Sequence, residues 1–536
     1  MNAWIQSPTP NLVLTQRAER PWTGQLEIER RDLLSETLRV TQLPVRVEAG
    51  DELRLQIPPD PSHPYGVFKL QVTLQGEDGI SHPLSNLHTY AYAPAPLAKT
   101  LDDDWPLGIH ITSQDPRALP GFKWYRTFSM WAYDNPADGE YRWDKLDKAF
   151  GAVKEIGGRL VLANDSTPAW TVAPERVDGL PWVPNATAYP PDDLVHLRRY
   201  LDALFARYGD ASDTLAVLEV WNEPNTPVRW LGTHAQMVEV ARVYKQAAQA
   251  QPHPPRVFGV QLSAGSHFRY LEGLMQAGLL EVVDGVSGHW YEELMCFDPQ
   301  TPISNLHQKV ENFRKVIPAG DWGKIPVWNS ESGISICARE EGKLVSQQTL
   351  NHRAEANPVF DPAQPWLLGP GWRPVSERRA AAGYVGGTLL LMSEGVEKTI
   401  AYTLHEYIID DAPSLPWVAF GVLGSLMKEV DYRQVQRLDA VLLPEDAGTH
   451  QAVAIRLGAA EGPGLICVWA YERDKKTGRS KHWQDWQMPL EIRVPVHGEE
   501  VELRDFYNRR SDPLRSKDGW VQISAGEEPV YIIEKP

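Results

Sequence analysis

A glutamate stands at the end of a strongly apolar stretch of the chain. Residues 215–223 read LAVLEVWNE, and Pro224 follows at once. A run rich in Val and Leu is typical of a strand that is buried on both faces. Because proline donates no ladder hydrogen bond and disfavours helical backbone in the residue before it, we expect the strand to end at Glu223. The sequence therefore predicts a carboxylate at the mouth of a buried sheet.

A second glutamate has the same setting later in the chain. Residues 325–333 read IPVWNSESG, which is again an apolar start with a polar end that carries Glu331. Residues of the same parity share one face of a strand. Alternation predicts that each glutamate shares its face with the residues two and four before it, namely Glu219 and Trp221 for Glu223, and Val327 and Asn329 for Glu331.

Two such carboxylates would converge if both strands belong to one parallel barrel. Retaining glycoside hydrolysis needs one protonated carboxyl group for the leaving oxygen and one ionised carboxylate to attack the anomeric carbon. An unperturbed Glu has a pKa of about 4.3, so the acid needs a raised pKa. We expect the negative charge of Glu331 and partial burial to raise the pKa of Glu223.

The segment WNEPN, followed by a second Glu at the end of a later strand, resembles the clan A glycoside hydrolases. Within that clan, LEVWNEPN with Trp230 soon after is most similar to family 39, the β-xylosidase and α-L-iduronidase relatives. The resemblance covers residues 101–430. It implies that Glu223 is the acid/base, that Glu331 is the nucleophile, and that Asn222 binds the sugar hydroxyl next to the reacting carbon.

The resemblance also implies two residues around the nucleophile. Tyr291 shares parity with His289 at a predicted strand end and would hydrogen-bond the nucleophile, although a packed aromatic strand end is the alternative. Arg126 lies within another strand and would keep the nucleophile ionised from below. The alternative for Arg126 is an ordinary internal ion pair with Glu219, because buried charges need partners.

Further polar and aromatic residues stand at predicted strand ends or on a long loop. We expect them to contact sugar hydroxyls or stack on sugar rings at the rim of the cleft: His110, Asn164, Trp170, His289 and His405. The chain has no HExxH, P-loop or dinucleotide glycine motif. We therefore expect neither a metal nor a cofactor.

Strand–helix alternation over residues 101–433 supplies the elements that would position these side chains. It predicts an α/β fold, a (β/α)₈ TIM barrel. The predicted barrel strands are residues 107–111, 125–128, 159–164, 215–223, 256–262, 283–291, 325–331 and 398–404. Residues 1–100 and 434–536 alternate without long helices, which predicts an N-terminal and a C-terminal β-sandwich domain flanking the barrel.

Composition restricts the partners. Hydrophobic residues make up 42% and charged residues 23% of the 536 positions, as in ordinary globular proteins. A formal net charge of −17 argues against nucleic acid or an anionic membrane surface as a partner. The start of the chain has neither a basic segment nor an apolar core of signal-peptide length, so we expect either a cytoplasmic protein or the mature form of a secreted one. The oligomeric state is not readable from the sequence.

These observations favour a retaining O-glycosidase that cleaves oligo- or polysaccharides through a covalent glycosyl-enzyme. The alternatives are a clan A endoglycanase or transglycosylase of another sugar class, and a non-catalytic carbohydrate-binding barrel. The sugar, its anomer, the linkage, and exo or endo action stay open.

Overall fold

A computed structural model provides the fold of the chain. It describes residues 3–5, 12–17, 21–32, 37–57, 60, 62–76, 81–83, 88–94, 98–111, 121–180, 183–209, 214–263, 268–290, 305–318, 320–333, 336–340, 343–344, 375–402, 408–409, 412–443, 450–472 and 489–535. Two residues of the predicted site, Tyr291 and His405, lie outside these described residues.

Eight parallel strands form a closed barrel in the middle of the chain. We number them in chain order as β1 Leu107–His110, β2 Trp124–Met130, β3 Arg159–Asp165, β4 Leu215–Glu219, β5 Arg256–Leu262, β6 Gly285–His289, β7 Val327–Ser332 and β8 Lys398–Ala401. Each strand pairs with its neighbours in sequence, and β8 closes the ring on β1. The predicted barrel is therefore confirmed.

Helices follow the strands from β2 onward and cover the outside of the barrel. The longer ones are Asp144–Glu155, Val195–Tyr208, His234–Gln249, Phe268–Gln276, Asn305–Val316, Glu377–Ser393 and Leu415–Met427. Thr233 starts the third of these with a reciprocal capping box to Gln236. The last two helices are buried almost all round, which explains why their sequences lack a polar face.

Within the described part of the chain, no helix combines the length and the apolar character that crossing a membrane requires.

The barrel interior has an apolar floor below its polar upper end. The floor consists of one inward side chain from each of six strands: Trp124, Val161, Val217, Phe258, Trp328 and Ile400. The Trp328 ring lies 4.5 Å from the Phe258 ring and 5.1 Å from the Trp124 ring, measured between centroids. This layer separates the polar groups above it from the amino-terminal end of the barrel.

The strands that carry the two glutamates depart from simple alternation. β4 ends at Glu219 rather than at the predicted Glu223, and Trp221 packs against Trp230 in the core outside the barrel. On β7, Val327 also faces that outer core, while a shift of register beyond Asn329 returns Glu331 to the inside. The predicted shared faces are thus wrong for Trp221, because β4 ends before it, and for Val327, because a shift of register on β7 breaks the two-residue period.

Residues before the barrel form two small sheets. Their strands are Ala3–Ile5, Leu12–Arg17, Trp22–Arg31, Thr37–Val47, Glu52–Ile57, Gly66–Gly76, Ser81–Pro83 and His88–Tyr92. Six of them make a mostly antiparallel sheet, and Leu12–Arg17 pairs with Glu52–Ile57. An apolar cluster that includes Leu26, Phe68 and Leu70 covers one face of the larger sheet.

Residues after the barrel form a β-sandwich. Its strands are Val435–Leu438, Val441–Leu443, His450–Leu457, Gly464–Glu472, Leu490–Pro495, Glu500–Arg504, Leu514–Arg515, Trp520–Ala525 and Val530–Glu534. A six-stranded and a three-stranded sheet enclose one apolar layer. Arg378 of the barrel binds Glu528 of this unit through bonds of 2.6 and 2.8 Å. Domain boundaries at residues 100 and 433 stay predictions.

Replacing Trp328 by Ala should destabilise the barrel strongly, because it removes a fully buried ring that packs against both Phe258 and Trp124 in the interior floor. We expect a loss of about 3–5 kcal/mol in the free energy of unfolding, measured by urea denaturation with circular dichroism. Val195→Ala serves as the control, since Val195 is 48% exposed and should cost under about 0.5 kcal/mol. Equal losses in the two variants would contradict the assigned floor.

Candidate active site

A buried arginine is the centre of the polar upper end of the barrel. Arg126 extends inward from β2, and its side chain is fully buried. Its Nε donates to Glu219 Oε2 at 2.6 Å, and its Nη1 donates to Glu331 Oε1. The structure therefore places Arg126 between two carboxylates, and the two contacts that the sequence left as alternatives occur together.

The remaining donors of Arg126 are also used. Nη2 donates to Gln261 Oε1 at 2.7 Å and to Asn222 Oδ1 at 3.2 Å, and Nη1 lies 3.1 Å from His110 Nδ1. Ser287 completes the network because its hydroxyl donates to Glu219 Oε1 at 2.9 Å. A guanidinium offers five N–H donors, so this network fixes the orientation of the groups around it.

Glu223 lies just beyond β4 in an unusual backbone conformation. Its φ is +49°, which is the left-handed region that glutamate rarely adopts. The Glu223 N–H donates to the Gln261 carbonyl at 2.8 Å, and the Glu223 carbonyl accepts from the Thr226 hydroxyl at 2.8 Å. Such backbone strain persists only where surrounding contacts hold it, and here the bonds on both sides of Glu223 do so.

The structure brings Glu223 and Glu331 together around one histidine. His289 Nδ1 lies 3.0 Å from Glu223 Oε1 and 3.4 Å from Glu331 Oε2. An oxygen of one carboxylate lies within 4.8 Å of an oxygen of the other. The Glu223 side chain is 22% exposed and the Glu331 side chain 6%. The Glu223 carboxylate is thus partly exposed to solvent, while the Glu331 carboxylate is nearly buried.

Positive neighbours hold both carboxyl groups in the ionised form. Burial opposes ionisation of Glu331, but the charges of His289 and Arg126 outweigh it and lower the pKa of Glu331. Burial likewise opposes ionisation of Glu223, but the hydrogen bond from His289, with the charges of His289 and Arg229, lowers the pKa of Glu223. The sequence predicted a raised pKa for Glu223. That prediction is wrong, because it did not include the histidine that lies between the two carboxylates.

The other predicted rim residues have different positions. His110 lies inside the network, with its ring 4.8 Å from both the Phe128 and the Tyr402 rings. The Asn164 side chain donates to the Tyr244 hydroxyl on an outer helix, so it points away from the cleft. Trp170 donates from Nε1 to the Asn135 carbonyl at 2.9 Å, which ties down the loop after β3 and does not bring Trp170 to the carboxylates.

Several residues of the site were not predicted from the sequence: Gln261, Ser287, Tyr402, Asp165 and Arg229. Gln261 and Asp165 each stand at or next to the end of a buried strand, which is the signal that found Glu223 and Glu331. Arg229 carried no such signal, because its partner Asp165 is remote in sequence.

Among the described residues, one group of ligand-type side chains lies close enough to bind a metal ion: Glu223, His289 and Glu331. Arg126 already donates to Glu331, and its positive charge opposes a divalent cation at that carboxylate. The same three side chains are suited to moving a proton, since His289 Nδ1 lies within 3.4 Å of an oxygen of each glutamate.

No family model and no curated protein matches the chain, so the resemblance to family 39 is not confirmed. A glycoside hydrolase family 30 subfamily 8 xylanase from Clostridium acetobutylicum aligns over 80% of this chain and 96% of its own, with 11% identity and a TM-score of 0.48. A glucosidase from Croceicoccus marinus aligns over 80% and 95%, with 14% identity and a TM-score of 0.47.

A cycloisomaltooligosaccharide glucanotransferase from a Paenibacillus species covers 99% of this chain and 98% of its own, with 9% identity and a TM-score of 0.44. Each of these TM-scores is below 0.5, so the likeness carries no argument about activity. One fold can serve many functions, so the activity depends on the side chains of the site.

Replacing Arg126 by Met should destabilise the barrel, because it leaves Glu219 and Glu331 buried without their cation. We expect a loss of about 3–5 kcal/mol in the free energy of unfolding, measured by urea denaturation at neutral pH. Arg207→Met is the matched control: Arg207 pairs with Asp147 on the surface, and its loss should cost at most about 1 kcal/mol.

The double variant Arg126→Met/Glu219→Gln should recover part of that loss, since one of the two unpaired charges is then removed. A double variant that is less stable than Arg126→Met alone would contradict the inferred charge pairing.

Proposed function

We propose that the protein is a retaining O-glycosidase, with Glu331 as nucleophile and Glu223 as acid/base. The observation that supports this most is the separation of less than 4.8 Å between a Glu223 oxygen and a Glu331 oxygen, at the carboxyl ends of barrel strands. Retaining glycosidases keep their carboxyl groups about 5–5.5 Å apart, whereas inverting ones need about 6.5–9.5 Å to admit a water. Active sites of such barrels lie at this end.

In the first step, Glu331 attacks the anomeric carbon of the substrate. A bond forms between a Glu331 oxygen and that carbon, the bond to the leaving oxygen breaks, and Glu223 gives its proton to the leaving oxygen. Arg126 holds Glu331 Oε1, so Oε2 faces His289 and the cleft. The nucleophile is ionised before substrate arrives because its pKa is lowered.

In the second step, water replaces the enzyme at the anomeric carbon. Glu223 takes a proton from the water, the oxygen of the water bonds to carbon, and the ester bond to Glu331 breaks. The charge of Glu331 is absent in the glycosyl-enzyme, which removes the repulsion that opposed ionisation of Glu223. The lowered pKa of Glu223 suits this second step, where it must act as a base.

The first step needs a proton at Glu223, and His289 can supply it. His289 Nδ1 and Glu223 Oε1 lie 3.0 Å apart in one hydrogen bond, and a single proton can reside on either atom. Moving the proton across that bond leaves the total charge of the site unchanged. The proton that Glu223 and His289 share is available to a leaving oxygen that approaches the exposed edge of Glu223.

A panel of aryl glycosides and oligosaccharides, with product stereochemistry followed by NMR, tests the proposal. Retained configuration in the first-formed product supports it, and inverted configuration would contradict it. Complete inertness toward the panel and toward polysaccharides would favour a non-catalytic sugar-binding barrel instead. The same spectra identify the sugar and the linkage, and they distinguish transfer to another sugar from hydrolysis.

Glu331→Ala and Glu223→Ala should respond to azide in opposite ways. With Glu331 removed, azide enters the vacated space below the sugar and should restore turnover in part, giving a glycosyl azide of inverted configuration. With Glu223 removed, substrates with good leaving groups should keep a fast first step, and azide should give a product of retained configuration. NMR of the azide products distinguishes these outcomes, and exchanged stereochemistry would reverse the two assignments.

The acidic limb of kcat/KM should lie below the ordinary Glu pKa of about 4.3. The nucleophile must be ionised, and since its pKa is lowered, the rate should fall only when the pH drops through that lowered value. His289→Asn removes a charge that favours ionisation of Glu331, so its acidic limb should move to higher pH. Circular dichroism at each pH controls for unfolding. An unmoved limb in His289→Asn would contradict the electrostatic role of His289.

A further inference from the structure

A second ion pair lies beside Glu223, outside the Arg126 network. Asp165 ends β3 inside the barrel and is fully buried, while Arg229 stands on the loop after β4 with its side chain 20% exposed. Arg229 Nη1 donates to Asp165 Oδ2. Asp165 Oδ1 has no hydrogen-bond partner among the described residues. The pair therefore joins the loop that carries Glu223 to the neighbouring barrel strand.

The loop between Glu223 and Trp230 is a compact hydrogen-bonded turn. The Thr226 N–H donates to the Glu223 carbonyl at 3.0 Å, and the Thr226 carbonyl accepts from Arg229 and Trp230 at 2.9 and 3.1 Å. Trp221 Nε1 donates to the Arg229 carbonyl at 3.2 Å. Arg229 is thus held at its backbone by the start of the turn and at its side chain by β3.

This turn carries the left-handed glutamate. Glutamate in that conformation is strained, and it must be held by the structure around it. The backbone hydrogen bonds of Glu223 fix its main chain at the start of the turn. The far end of the turn needs a second attachment to the barrel if the whole turn is to stay in place. The ion pair of Arg229 with Asp165 is that attachment, because it ties the turn to a strand of the closed barrel.

The same pair changes the charge around Glu223. The charged or titratable groups that act on Glu223 or approach it are Arg126 from β2, Asp165 from β3, Arg229 from its own turn, His289 from β6 and Glu331 from β7. Arg229 favours ionised Glu223, whereas Asp165 and Glu223 repel each other. The two members of the pair therefore act on Glu223 in opposite directions.

We propose that Asp165 and Arg229 are positioning residues for Glu223, which hold its turn against the barrel and set the charge balance under which it gains and loses its proton. This role rests on the proposed function, since it assigns the acid/base step to Glu223. Neither residue takes part in bond making. Arg229 stabilises the ionised acid/base that the second step needs, and Asp165 holds the Arg229 side chain in place.

The titration of Asp165 supports the coupling. Burial raises the pKa of Asp165 to about 6, although the charge of Arg229 acts against the rise and that of Glu223 adds to it. Asp165 is therefore neutral below about pH 6, whereas Glu223, whose pKa is lowered, gains its proton only at lower pH.

The pH profile is the test of this proposal. Arg229→Gln removes a positive neighbour, so the basic limb of kcat/KM should move to higher pH by about half a unit or more. Asp165→Asn should lower the rate but leave the limb in place, because Asp165 is already neutral at the pH where Glu223 gains its proton. Arg229→Lys keeps the charge and should also leave the limb in place. A loss of packing alone would lower rates without moving the limb in Arg229→Gln.

Arg207→Gln is the matched control, because Arg207 also pairs with an aspartate through bonds of 2.6 and 2.8 Å but lies on an outer helix. It should leave the basic limb and the rate unchanged. Positioning has its own readout: Arg229→Gln should lose more kcat/KM on substrates with poor leaving groups than on those with good ones, since only the former depend on proton donation. Equal losses would contradict the positioning role.

A measurement without substrate separates this proposal from the proposed function. Carboxyl ¹³C NMR of glutamate-labelled protein follows the titration of Glu223, whose signal is assigned by its loss in Glu223→Gln. The titration should move up in Arg229→Gln and stay in place in Asp165→Asn, whether or not any glycoside is turned over. An unmoved titration in Arg229→Gln, or an equal rise in Asp165→Asn, with native circular dichroism, would overturn the proposal. Shifted titrations with an inert enzyme would leave the charge coupling intact and overturn the glycosidase assignment instead.

Discussion

The upper half of the barrel depends on one buried cation. Arg126 sits above an apolar floor with no exposure of its side chain, and a charge in that position is stable only if nearly all of its donors are used. Glu219 and Glu331 supply its counter-charges, and Gln261 and Asn222 accept from the remaining edge. These partners come from β4 and the segment that follows it, from β5 and from β7, so the position of each is fixed by the same guanidinium.

Charge balance explains why a histidine lies at the centre of the cleft. Among the described residues, four carboxylates meet there, on Glu219, Glu223, Glu331 and Asp165, whereas the permanent positive charges paired with them are those of Arg126 and Arg229. Two negative charges are left, and in a site shielded from water they attract protons. His289 Nδ1 faces both Glu223 and Glu331, so it is the group best placed to hold one of these protons and to return it.

The architecture and the two glutamates were predictable because both signals are local. Apolar runs that end in polar residues predict buried strands and place carboxylates at their ends, and the structure brings Glu223 and Glu331 together there. The faces of Trp221 and Val327 were not predictable, since one bulge or an early strand end reverses the alternation. Asp165 and Arg229 are far apart in sequence, and their pairing arises only when the barrel closes.

The early end of β4 has a consequence for Glu223. A carboxylate within a strand is confined to the ladder and to one face, as Glu219 is. Beyond the ladder, the backbone of Glu223 turns into the left-handed region, and its side chain reaches His289 while keeping partial exposure. In the proposed mechanism, Glu223 must meet both a buried proton donor and a leaving oxygen from solvent, so it needs both contacts. The strain at Glu223 is therefore the structural cost of placing one carboxylate at the boundary between the charge network and the open cleft.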